Sequence, residues 1–268
     1  MLLNLSFKIF LRELKSGYLT SILISLVLAI TIVSGISLFT DRLEKALNTE
    51  TEEFLGGNLK FESNQNSVKD KIETQDFGPI NYMEMVLFAS VIFSDEEMQL
   101  SSVKAVDNNY PLIGELELKD DSGVFLSKSN PKQGTVWMDE RLQNLLNLNY
   151  GDKIFLGDSE FIFAATILYE PDRASGNFAF APKTIMNFLD VESTNIVQPG
   201  SRVEYNYLFT GPENNIANVR QYLESIKENG DEIEVLSEDS SSLGRTIDRS
   251  ENFFLLGGLI AVLLSACT

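Results

Sequence analysis

Leu19 to Phe39 reads LTSILISLVLAITIVSGISLF, 21 residues without a charge. At 1.5 Å of rise per residue such a run, coiled as a helix, crosses the roughly 30 Å hydrocarbon core of a bilayer, so it reads as a transmembrane helix. A second uncharged run starts at Phe253 and continues to Thr268. A soluble domain would not leave Phe254, Leu255, Leu256, Leu259, Ile260, Val262, Leu263 and Leu264 in water, and this run reads as a second span cut short by the end of the sequence.

Lys8, Arg12 and Lys15 against Glu13 precede the first span, whereas the rest of the chain is strongly acidic. The N-terminus therefore reads as cytoplasmic. Arg42 and Lys45 just past the span narrow the margin, but a long acidic middle translocates largely regardless of charge. The competing reading is a cleavable signal peptide, whose apolar core would run only about 7 to 15 residues; Ser34-Gly35-Ile36-Ser37 is also a poor cleavage site. With 21 Lys and Arg, 39 Asp and Glu, no His and a formal charge of −18, the chain is excluded as a basic nucleic-acid binder. Cys267, the single cysteine, falls in the second run. The ectodomain therefore has no disulfide, and cysteine-ligated zinc, redox-pair and thiol-nucleophile readings fall away.

Residues 2–14, LLNLSFKIFLREL, carry Leu3, Phe7, Phe10, Leu11 and Leu14 around Lys8 and Arg12, the pattern of an interfacial amphipathic helix or of an extension of the first span. Past the span, DRLEKALNTETEEFL from Asp41 to Leu55 consists of good helix formers and reads as a stalk that Gly56-Gly57 ends. Strands follow at 58–63, 82–93, 98–106 and, by alternation, 112–118, with a short polar helix at 65–74. Composition near Lys119 shifts to Asp, Ser, Lys, Asn and Pro, a linker signal.

A different unit begins at Gly134. It contains a strand at 135–138 and a helix at 139–147 with Leu142, Leu145 and Leu146 inward. Strands at 153–156 and 160–168 are joined by Gly157-Asp158, a hairpin signal. The second of these strands reads as buried on both sides. A strand near 178–181 and a helix at 182–189, opened by Pro182, close the unit. The remaining ectodomain reads strand (202–209), helix (213–228), strand (232–236), with Ile216, Val219, Tyr222, Leu223 and Ile226 as the apolar stripe of that helix. This βαβ-like piece pairs most simply with the first region, leaving 119–195 as an insertion in a discontinuous domain. Ser237 to Gly244 reads as a loop and Arg245 to Asn252 as a second stalk.

Phosphate-binding loops of the G-x-x-x-x-G-K and G-x-G-x-x-G kinds are absent, so the chain cannot hydrolyse ATP by itself. Without His, the Ser-His-Asp and Cys-His constellations are impossible. Glu170-Pro171-Asp172-Arg173 could form an acid pair or cation site, but Pro and Asp equally suit a turn after a strand, which is the favoured reading. The acidic runs at 50–53 and 95–97 read as solvated surface, and Trp137 as core.

GTVWMDERLQNLLNLNYGDKIFLG (Gly134 to Gly157), EPD at 170–172, APKTIMN at 181–187 and QPGSRV at 198–203 together resemble the periplasmic core of YbbP-type ABC transporter permeases, within the MacB, LolC and FtsX permease superfamily. Leu11-Arg12-Glu13-Leu14 and the stalk DRLEKAL also fit. The resemblance covers essentially the whole chain. It implies a membrane α plus α+β architecture: cytoplasmic amphipathic segment 1–18, transmembrane helix 19–39, stalk 40–55, porter-like periplasmic subdomain 56–118 with 196–236, inserted subdomain 119–195, loop and second stalk 237–252, and a truncated transmembrane helix 253–268. The expected product is an N-terminal fragment of a non-catalytic permease subunit in the bacterial inner membrane. No cofactor is expected on this chain; ATP and Mg belong to a cytoplasmic ABC ATPase partner. The resemblance further implies hydrophobic or lipid-like cargo, contact with membrane lipid, association with a periplasmic thioesterase or lysophospholipase, and a permease dimer or internally duplicated permease.

Two stalks leaving the bilayer together would pass a shift of the spans outward through continuous helix. Asp41, Arg42, Glu44, Lys45, Arg245 and Arg249 are the coupling candidates on them. One span, an extracytoplasmic domain and a second span also describe a transmembrane sensor or receptor. Further hydrophobic spans beyond Thr268 would mark the transporter, and a charged cytoplasmic signalling region there would mark the receptor.

Overall fold

In the computed structural model the described residues are 56–65, 68–95, 97–172, 181–198 and 200–235, with isolated positions between 12 and 42 and Leu256. The chain divides into two compact units, Met1–Thr49 with Ser237–Thr268, and Glu50–Leu236.

In the first unit, each described position between 20 and 42 is helical. Ile24, Val27, Ile30, Leu38 and Phe39 stand exposed on it. The Thr31 hydroxyl donates to the Val27 carbonyl at 2.7 Å, the backward bond by which a threonine satisfies itself inside an apolar helix. Among the described residues no helix is long and apolar enough to cross a membrane. The second span apart from Leu256, Cys267, the amphipathic segment apart from Arg12, and most of both stalks lie outside the described residues.

The second unit holds one mixed sheet of eleven strands: β1 (Leu59–Ser63), β2 (Asn81–Phe93), β3 (Met98–Val106), β4 (Leu116–Asp120), β5 (Gly123–Ser127), β6 (Thr135–Asp139), β7 (Lys153–Leu156), β8 (Ser159–Tyr169), β9 (Lys183–Asn187), β10 (Val203–Thr210) and β11 (Glu232–Val235). Its helices are α1 (Val68–Glu73), α2 (Glu140–Leu145), α3 (Val191–Thr194) and α4 (Glu213–Ile226).

Antiparallel pairing gives the order β11-β1-β10-β2. Strands β1 and β2 therefore run parallel with β10 between them, and β10 and β11 run parallel with β1 between them. These are two interleaved split βαβ units, the ferredoxin-like arrangement. Helices α1 and α4 lie over one face, where Val68, Ile72, Ile216, Val219 and Leu223 pack with Leu59, Phe61, Tyr207 and Phe209.

Everything from β3 to β9 is inserted between β2 and β10. Strand β2 pairs with β3, β3 with β9, β9 with β6, β6 with β8, β8 with β7, and β7 returns to the far end of β2 through Ile92↔Leu156 and Phe93↔Phe155. Hydrogen bonding thus closes a six-strand ring around Ile92, Val103, Val136, Met138, Ile154, Leu156 and Phe163. A second cluster lies on the other side of the sheet, with Met83, Met85, Leu87, Tyr110, Leu118, Trp137 and Leu208 at its centre.

Four sequence expectations require correction. The linker expected near Lys119 is a hairpin: β4 and β5 pair through Asp120↔Gly123, and Asp120 Oδ1 accepts from the Ser122 backbone at 2.8 Å. The helix expected over 182–189 is β9 followed by a 3-10 turn (Phe188–Asp190) and α3. Thr184, Ile185 and Met186 are buried in a central strand, so pairing with β3 and β6 overrides the Pro182 start signal. Leu145 turns outward while Leu142 and Leu146 are buried.

In β8, Ile162 is exposed rather than buried. A bulge lies further along it, because Val136 pairs with Phe163 and Trp137 with Ala165. The extra residue switches the odd-numbered side chains from the ring interior to the opposite core, so Phe161 and Phe163 fill one cluster while Ala165 and Ile167 fill the other. Trp137 is core, as expected.

Candidate functional site

Strand β3 carries SSVKAV across the middle of the sheet, and alternation aims Ser102, Lys104 and Val106 away from the ring interior. Lys104 is 4% exposed. A buried ammonium requires partners, and the turn following β8 supplies them. Lys104 Nζ donates to Glu170 Oε1 at 3.0 Å and to Asp172 Oδ2 at 2.9 Å. Lys183, at the start of the neighbouring strand β9, donates to the same Glu170 oxygen at 2.8 Å. The Tyr110 hydroxyl donates to Asp172 Oδ1 at 3.2 Å, and its ring centroid lies 5.7 Å from Lys104 Nζ, within cation–π range.

Two cations and two carboxylates balance formally. Burial opposes ionisation of Glu170, but the ammonium groups of Lys104 and Lys183 outweigh it and hold its carboxyl below the usual range. Asp172 lies deeper: burial, opposed by Lys104 and reinforced by Glu170, holds it above its ordinary value. Burial would lower Lys104, yet the paired carboxylates raise it well above a free lysine. Lys104 is thereby a fixed cation, unfit as a nucleophile or base. Tyr110 is pushed up by burial and by the carboxylates.

The cluster is therefore an ionic clasp rather than an acid–base centre. It ties the Glu170–Asp172 turn to strands β3 and β9, and Asp172 takes φ 55°. The chain bends at Pro171, and the carboxylates of Glu170 and Asp172 on either side of it are buried and paired with lysine. Arg173 lies outside the described residues.

A second clasp fastens α1. Glu84 on β2, nearly wholly buried, accepts from Lys69 of α1 at 2.6 Å, and its backbone N–H donates to Asp107 Oδ2 at 3.0 Å. Burial raises both Glu84 and Asp107 above ordinary carboxylates despite the lysine.

A polar cavity of about 470 Å³ opens beside Glu62, Asn64, Leu87, Arg202, Glu204 and Glu232. Among the described residues no group of carboxylates, Cys or His is arranged to hold a metal ion. Of the coupling candidates, Asp41 and Arg42 sit at exposed helical positions; Glu44, Lys45, Arg245 and Arg249 lie outside the described residues. Sequence reading missed Lys104 and Lys183. The available signal was a lone charged residue, Lys104, inside the strand MQLSSVKAV.

No family model matches the chain. In sequence it is 34% identical over 256 residues to a protein of Escherichia coli (strain K12) described as "Uncharacterized ABC transporter permease YbbP", a match covering 96% of this chain and 31% of that protein. Similar solved structures include the periplasmic region of MacB from Actinobacillus actinomycetemcomitans, at TM-score 0.45 and 13% identity over 75% of this chain and 95% of that one. They also include the extracellular domain of the noncanonic ABC-type transporter YknZ from Gram-positive bacteria, at TM-score 0.43 and 7% identity over 63% of this chain and 88% of that one. Across nearly all of its own length the chain is similar to this YbbP permease, and it spans about a third of that protein's length.

Proposed function

We propose that the chain is part of an inner-membrane permease subunit that couples ATP hydrolysis by a separate cytoplasmic ABC ATPase to movement of hydrophobic or lipid-like cargo at the periplasmic surface. The observation that carries this reading is the sequence relationship to the YbbP permease over 96% of the chain. The exposed apolar side chains of Ile24, Val27, Ile30, Leu38 and Phe39 fit lipid-facing positions in the span at 19–39. ATP and Mg act on the partner, a periplasmic thioesterase or lysophospholipase is a further partner, and permease halves pair as a dimer or an internal duplication.

In this proposal the stalks, with Asp41, Arg42, Glu44, Lys45, Arg245 and Arg249, transmit motion between the spans and the sheet unit as a rigid-body shift. The porter-like subdomain at 56–118 and 196–236 receives that motion, and the inserted subdomain at 119–195 moves with it. A Gly-Pro insertion beside Lys45 tests the coupling in the complete, reconstituted transporter. Cargo-stimulated ATPase activity should be lost while the permease still co-purifies with its ATPase. Stimulation at the parental level would overturn the mechanism.

A further inference from the structure

At the far end of the β2–β3 hairpin, apolar side chains face water in ordered rows. Phe93 on β2 pairs with Met98 on β3 and with Phe155 on β7, and two residues back Val91 pairs with Leu100. Directly paired residues of antiparallel strands share a face, so Val91, Phe93, Met98, Leu100 and Phe155 form one patch across three strands. Met98 is 68% exposed, Leu100 50%, Phe93 44% and Phe155 39%. Their alternate neighbours Ile92 and Leu156 are fully buried in the ring core, so the sheet's inward demand is already met and these outward side chains serve no packing within the unit. A contiguous apolar face on a soluble surface marks an interaction site.

The border of the patch identifies what covers it. The turn joining the two strands holds Asp95 and Glu97, both exposed, and two hydrogen bonds close it: Ser94 N–H donates to the Glu97 carbonyl at 2.8 Å, and Glu97 N–H donates to Ser94 Oγ at 3.1 Å. On the same border Lys153 stands beside Asp95 and pairs with the exposed Glu160 at 2.8 Å, so the carboxylates outnumber the lysine there. The rim is thus acidic. A two-fold pairing of copies centred on Phe93 would set these acidic turns against each other, and an anionic leaflet would repel them.

We propose that this face is a docking surface for a second protein whose apolar contact is bordered by Lys or Arg. Apolar burial on Phe93, Met98 and Phe155 supplies the centre of the interface, and Asp95 with Glu97 supplies charge complementarity and register at its rim.

Photocrosslinking tests this in cells producing the complete protein, with p-benzoylphenylalanine placed at Met98 and, as control, at Leu189, which is 62% exposed on another element. A discrete protein adduct should form from position 98, be absent from 189 and disappear when Phe93→Asp is added. The captured protein, identified by peptide mass and then purified, should bind the unlabelled parent. Asp95→Lys should weaken that binding at least tenfold and flatten its salt dependence, with Trp137 emission unchanged to report an intact fold. Adducts confined to a second copy of the chain or to lipid, absence of any protein adduct, or binding indifferent to Asp95→Lys would each overturn the proposal.

Discussion

Gly56 rests directly on Asp172: a Cβ added to it would stand 2.5 Å from the Asp172 Cβ and 2.8 Å from Leu208 Cδ2. Gly56 holds φ +75° and Asp172 φ 55°, so two left-handed residues meet where the chain enters β1 and where the clasp turn leaves β8. Gly56→Ala forces both strain and displacement. It should lower the stability of the sheet unit by about 1–3 kcal/mol from the backbone alone, read as an earlier denaturant midpoint by Trp137 emission. An unchanged midpoint would show that the turn yields freely.

Lys104 is the centre of the clasp, and removing it takes the ammonium from buried Asp172 and leaves Glu170 to Lys183. Lys104→Met should cost about 3–5 kcal/mol, the usual consequence of leaving buried charge uncompensated. Adding Glu170→Gln and Asp172→Asn should recover most of that loss, because the desolvated charges disappear together. Chemical denaturation of the single and triple variants separates the outcomes. If the triple variant is no more stable than the single one, packing rather than charge is what Lys104 contributes.

The residue types and turn signals of 58–63, 98–106, 153–156 and 202–209 locate their strands to within a residue or so, since each is bounded by polar residues or Gly and built largely of residues that fit a pleated surface. The helix spacing of Ile216, Val219 and Leu223 likewise predicted the face that α4 buries. What local sequence could not reveal is long-range. Strand β9 has a helix-like opening at Pro182, and only its neighbours β3 and β6 make it a strand. The bulge in β8 exists only relative to β6. The clasp joins Lys104 to Glu170 and Asp172, residues 66 and 68 positions apart, and no spacing rule reaches that far. Only the oddity of a lysine in an apolar strand marks it in advance.

Alkaline pH should unfold the sheet unit through its tyrosines. Tyr82 is pushed up to about 12 by burial, by the hydrogen bond it donates to Glu73 and by nearby carboxylates; Tyr110 and Tyr207 are raised as well, burial again leading. Raised groups keep their protons in the folded state while the unfolded chain releases them near pH 10. Stability is therefore full below pH 10 and falls as pH rises through 10 to 12. Each retained proton contributes a slope of about 1.4 kcal/mol per pH unit. Tyr110→Phe should flatten the decline by one such step. Denaturant midpoints taken at pH 9, 10 and 11 measure it, and a parental curve that stays flat would contradict the burial of these hydroxyls.

Asp139 joins two elements with one carboxylate. Its Oδ1 caps α2 by accepting from Leu142 N–H at 2.7 Å, and its Oδ2 accepts from the backbone N–H of Lys183 at 2.9 Å, the residue whose side chain enters the clasp. Asp139→Ala loses the cap, about 1 kcal/mol, and also leaves the Lys183 N–H without its acceptor, a further cost of about 1–3 kcal/mol where the group is shielded from water. Asp139→Asn separates the two roles. Its amide oxygen can serve Leu142, but its NH2 would then face another donor at Lys183, so an isosteric change should recover only the capping share. Hydrogen exchange at the amides of Leu142 and Lys183 resolves this directly: in Asp139→Asn, protection should persist at Leu142 and fall at Lys183. Equal protection at both would mean that the start of β9 is held by its strand pairing with β3 and not by Asp139.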